Sequence, residues 1–81
     1  MKNDEINTLR TGIADILEED ISAVKDTVHL HKDLGADSYA ILEIMFFIEN
    51  TFKAGIPAEC LPRMTTLNKI IKLIDENVRT A

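Results

Sequence analysis

Apolar residues recur at helical spacing in three separate stretches, and that periodicity restricts the chain to helices packed on helices. Ile6, Leu9, Ile13, Ile16 and Leu17 form one stripe. Ile41, Ile44, Met45, Ile48 and Phe52 form a second, and Leu67, Ile70, Ile71, Ile74 and Val78 a third. Three Gly and two Pro in 81 residues are too few for an all-β fold built on tight turns. The single Cys excludes an internal disulfide, so the apolar core must hold the fold unaided. The expected fold is all-α. It is a small helical bundle of three main helices plus a short third helix, with a long loop after the first helix, in one domain over residues 1–81.

Local signals set the boundaries. The first helix should run from about Asp4 to Leu17, capped by Asn3, with Asp4 and Glu5 favourable at the positive end of the helix dipole. Glu18, Glu19 and Asp20 are unfavourable at its negative end and close it near residue 18. Residues 20–37 show no lasting period. They read as a loop pinned to the core by Ile21, Val24, Val28, Leu30 and Leu34, with one helical turn possible over Ser22–Lys25. Gly35 permits a turn, and Asp37 caps a helix over Ser38–Phe52. After Lys53-Ala54-Gly55, Pro57 opens about one turn over Ala58–Leu61, which Pro62 should stop. Thr65 and Thr66 offer a cap for a last helix over roughly residues 67–78.

Charge and composition exclude whole classes of function. Fourteen Asp and Glu against nine Lys and Arg give a net charge of −5, and the chain has no basic cluster or arm. Nucleic acid is therefore a poor partner and a basic protein surface a good one. The apolar run Ala40–Ile48 is broken by Glu43 and too short to span a bilayer. The charged start, Met1 to Glu5, lacks the apolar core of a secretory signal. The expectation is a cytoplasmic monomer.

The helix from Ser38 is apolar nearly all round, more than one buried face requires. Opposite its core stripe lie Tyr39, Glu43, Phe46 and Asn50, flanked by Leu42 and Phe47. All four aromatic residues of the chain fall between residues 39 and 52. If Asp37 is the cap, Ser38 is the first helical residue, with its hydroxyl beside the free N–H groups of the first turn. A phosphate there would meet the positive end of the dipole, although the Asp37 charge opposes it. A plain capping role for Ser38 fits the same residues.

The run Asp33-Leu34-Gly35-Ala36-Asp37-Ser38 resembles the phosphopantetheine attachment motif of acyl carrier proteins. Glu43, Glu49-Asn50-Thr51-Phe52, Ile56-Pro57 and Met64-Thr65-Thr66 are similar to that family's helix acids, Phe, Ile-Pro step and Ile-Thr-Thr step, in a register without gaps. The resemblance implies that a phosphopantetheinyl transferase places a 4'-phosphopantetheine arm on Ser38. It also implies that the arm carries acyl groups as thioesters, and that the carrier does no catalysis. Part of an apolar cargo would be sheltered between the helices. The implied partners are that transferase and acyl-loading, condensing and acyl-transferring enzymes, met through Asp37, Tyr39, Leu42, Glu43, Phe46 and Glu49.

Several residues depart from the family. Tyr39 stands where a Leu is usual, Ala40 replaces a frequent acid, and Asn50 and Thr51 replace two of three consecutive acids. The acidic face of the helix is thinned to Asp37, Glu43 and Glu49, while Tyr39, Phe46 and Phe47 point away from the expected core. The expectation is a docking surface more apolar than that of a primary fatty-acid carrier. The competing reading of Phe46 and Phe47 is packing against the loop or the short third helix. A non-carrier interaction module using this aromatic face is the alternative function.

Other residues carry less. His29, His31 and Asp33 lie in a loop without the fixed spacing of a metal site. Cys60, beside Leu61, reads as a partly buried thiol. Ser38 lacks the glycine-x-serine-x-glycine setting of a hydrolase nucleophile.

Overall fold

The structure is a computed structural model that describes residues 1–77. Helix α1 spans Asn3–Leu17, α2 spans Ser38–Phe52 and α3 spans Leu67–Asn77. Two 3₁₀ elements, Ile21–Ala23 and Ala58–Arg63, sit in the connections. The expected bundle is present, and an isolated antiparallel bridge pairs His29 with Thr66.

Each helix buries the centre of the stripe read from its sequence, with Ile6, Ile16, Leu17, Phe52 and Ile71 only partly buried. Leu9 and Ile13 of α1, Ile44 and Ile48 of α2, and Leu67, Ile70 and Ile74 of α3 are fully or almost fully buried in one core. Leu73 joins them, although it lies outside the stripe expected for α3. Val78, expected to extend that stripe, lies outside the described residues. Among the described residues no charged or polar residue is buried. This core is bonded by area and close packing alone.

The helix ends differ from expectation in instructive ways. Asn3 is the first helical residue rather than the cap; Lys2 occupies the cap position, and its N–H donates to Glu5 Oε1 at 2.9 Å. A carboxylate three residues in thus does the work expected of Asn3. Glu18 and Lys53 end α1 and α2 in the left-handed conformation, at φ 55° and 56°, where glycine is the usual choice. Asp20 caps the first 3₁₀ turn by accepting from the N–H and Oγ–H of Ser22, which holds its carboxyl below the ordinary value. Thr66 Oγ1 accepts from Lys69 N–H at 3.3 Å and caps α3.

Pro62 does not stop the short helix, which continues to Arg63. The element consists of two successive 3₁₀ turns, closed by Cys60 N–H to Pro57 O at 2.9 Å and Met64 N–H to Leu61 O at 3.1 Å. Pro62 is the first residue inside the second turn, where its missing N–H leaves no bond unmade.

The long loop is held by more than its apolar residues. Val24 and Leu30 are buried as expected, but Ile21 is 40% exposed and anchors nothing. Arg10 on α1 donates to Val24 O and to Asp26 Oδ1, the latter at 2.7 Å. Leu30 N–H donates to Thr65 O at 2.8 Å, and Asn68 N–H to Asp26 O at 3.1 Å. These bonds tie the loop to α1 on one side and to the start of α3 on the other. The loop is thereby fixed where it delivers the chain to Ser38.

Candidate functional site

Local bonding shapes the approach to α2. Asp33 N–H donates to His29 O at 2.8 Å, and the Asp33 carboxylate accepts from His29 N–H at 2.8 Å. Gly35 adopts φ 71°, which glycine reaches without steric cost. The chain then reverses so that Ala36 N–H reaches Leu30 O at 2.9 Å. Both imidazoles serve this loop. His29 Nδ1 accepts from Lys32 N–H at 3.0 Å, and His31 Nδ1 lies 2.8 Å from Ala36 O, to which it must donate because a carbonyl only accepts.

Asp37 caps α2 as expected, its Oδ1 accepting from Ala40 N–H at 2.8 Å. Ser38 is the first helical residue and is exposed. The expected exposed residues follow on α2: Tyr39 is 70% exposed, Phe46 61% and Leu42 40%, with Glu43 and Glu49 exposed beside them. Spacings of three and four residues set Tyr39, Leu42, Glu43 and Phe46 along one face.

Phe47 corrects the aromatic reading. It is half-buried, packs on the core, and its ring lies edge-on to Phe52 with centroids 6.3 Å apart. The ring fills the space over Gly12 on α1, where an added Cβ would come within 2.2 Å of it. It therefore packs on α1, not on the loop or the short third helix, and leaves Tyr39 and Phe46 as the aromatics of the outer face.

Ser38 stands at a groove of about 510 Å³. The loop contributes His29, His31 and Ala36 to it, α2 contributes Asp37, Ser38 and Ile41, and the far wall is Leu61, Pro62, Met64 and Thr65. Thr65 Oγ1 is buried and has no hydrogen-bond partner among the described residues. A buried hydroxyl left unpaired costs about 1–3 kcal/mol, so a ligand that pairs it is favoured. Sequence reasoning placed Thr65 only in a family-like step and as a cap. That Thr65 borders the same groove as Ser38 is set by contact between two distant segments, among them the bond from Leu30 N–H to Thr65 O.

Residues 7–74 match the family model described as the phosphopantetheine attachment site. The chain belongs to this acyl carrier family. Acyl carrier proteins of Helicobacter pylori strains J99 and G27 are each 32% identical over 69 residues, which covers 85% of this chain and 88% of theirs. The solution structure of the apo doublet acyl carrier protein from prodigiosin biosynthesis superposes with a TM-score of 0.79 at 22% identity. That likeness covers 95% of this carrier and 38% of the other chain, and it shows a shared fold.

Membership implies a covalent 4'-phosphopantetheine and a carrier role that is not itself catalytic. The residues fit that group. A thin arm of methylenes and amides finds an apolar trough in Ile41, Leu61, Pro62 and Met64, and the orphaned Thr65 hydroxyl suits an amide. A carrier role also implies partner enzymes. Among the described residues no helix is long and apolar enough to cross a membrane.

Proposed function

We propose that Ser38 is the attachment point, and that this is a discrete one-domain, monomeric carrier serving separate enzymes in trans. The observation that carries the assignment is an exposed hydroxyl on the first residue of α2, at the mouth of an apolar groove. The N–H groups of the first turn favour a phosphodiester there, while Asp37 spends its carboxylate on Ala40 N–H. The bound arm's thiol supplies the thioester that holds acyl cargo. Ser38 holds the arm's root at a fixed point, and a flexible tether raises the effective concentration of cargo at each docked enzyme.

Docking falls to Asp37, Tyr39, Leu42, Glu43, Phe46 and Glu49. Two large aromatic faces and one Leu stand beside three acids on this helix, so partners should present an apolar hollow with a basic rim. That balance favours a specialised pathway, with a polyketide, specialised-lipid or aminoacyl cargo, over housekeeping fatty-acid synthesis. The transferase, loading, condensing and acyl-transferring enzymes are the partners proposed.

Coenzyme A and a broad-specificity phosphopantetheinyl transferase should add the mass of one arm, and Ser38→Ala should abolish the gain. A folded protein left unmodified by several transferases would favour a non-carrier interaction module built on Tyr39 and Phe46.

A further inference from the structure

A phosphodiester on Ser38 would leave the protein at a place with little to neutralise it. Among the described residues no Lys or Arg lines the groove at Ser38, and Asp37 adds a negative charge. Arg63, between two lining residues, is turned toward Glu76 at 3.9 Å. Lys32 and Asp33 belong to the exposed loop turn, where the Asp33 carboxylate is taken up by His29 N–H. The far wall of Leu61, Pro62, Met64 and Thr65 has no titrating group. Among the described residues, His29 and His31 are therefore the only lining groups able to become cations.

The two rings are not equivalent. His29 Nδ1 must stay unprotonated to accept from Lys32 N–H, so a second proton on that ring forfeits a loop bond. His31 Nδ1 already donates to Ala36 O, a bond both protonation states keep. Its Nε2 is the ring nitrogen that this bond leaves free for the phosphodiester. Ala36 is buried two residues before Ser38, so this bond anchors the ring beside the attachment point.

We infer that His31 is the counter-ion of the phosphodiester: its imidazolium faces the phosphate on Ser38 and ties the root of the arm to the loop. The inference rests on Ser38 being the attachment point. His31 acts as a positioning residue. When it is protonated the arm's first segment is held at the loop side of the groove, and when it is neutral that restraint weakens.

The test uses the full-length holo-protein and ³¹P NMR across about pH 5 to 8, the range in which histidine titrates. A phosphodiester has no ionisation of its own there, so an inflection of its resonance reports a neighbouring group. The expected result is one inflection in the wild type, lost in His31→Gln and kept in His29→Gln. A flat trace in fully modified wild type overturns the inference, and so does an inflection that survives His31→Gln. Mass spectrometry of the same sample separates the two failures. Absence of the arm's mass removes the Ser38 assignment itself, whereas a flat trace on modified protein removes only the role of His31.

Discussion

Phe46 and Phe47 are adjacent aromatics with opposite fates. Phe46 is 61% exposed on the outer face of α2, while Phe47 is wedged over Gly12. Truncating the first should cost docking, and truncating the second should cost stability. Phe46→Ala is expected to slow transferase modification roughly tenfold, the scale of one aromatic anchor, while unfolding stays at the wild-type temperature. Phe47→Ala should lower the melting temperature instead. Modification of Phe46→Ala at the wild-type rate would sink the docking role of that residue. Among the acids, Glu43→Lys should slow modification more than Glu59→Lys, because Glu59 lies on the short 3₁₀ helix and not on α2. Equal effects would mean that charge acts at a distance and not through contact. The sequence placed all four aromatics on one helix but could not separate the neighbouring pair. Phe46 reads as opposite the core stripe and Phe47 as flanking that outer side, and what packs Phe47 is a glycine on another helix.

Elements meet through that glycine. Gly12 lets the Phe47 ring fit against α1, and Phe52 closes it from the side. In an isolated helix Gly12→Ala would gain up to about 1 kcal/mol. Here the added methyl collides with the ring, and overpacking costs about 1–3 kcal/mol. The expected outcome is net destabilisation on the order of 1 kcal/mol, a fall of about 4–8 °C in melting temperature for a domain of this size. A rise in melting temperature would show that the ring moves aside freely. Element positions were legible because each stripe is local and each cap is a short motif, as at Asp37 and Thr66. Element ends were less so. Pro62 reads as a stop, yet its place in a turn depends on which carbonyls need a partner, and that is set by how the 3₁₀ helix lies on the core.

For the whole molecule, the net charge of −5 is spread over the surface and not focused beside Ser38. Asp15, Glu18, Glu19 and Asp20 lie on the last turn of α1 or just after it, all exposed. Such dispersed charge attracts a basic partner from a distance, and salt screens it over about 8–10 Å. Modification should therefore slow as ionic strength rises, and Phe46→Ala should lower the rate without changing that slope. A rate independent of salt would leave the apolar face alone responsible for docking.

The sequence by itself determined three helices, their core stripes, the cap at Asp37 and the family to which the segment around Ser38 is akin. These are set by neighbours a few residues apart, through helical geometry and local hydrogen bonds. Only the tertiary structure decided that Phe47 is packed and Phe46 free, that Arg10 and Thr65 clamp the long loop, and that His31 and Thr65 border one groove with Ser38. Each of these joins residues far apart in the chain, and nothing in either segment alone encodes the distance between them.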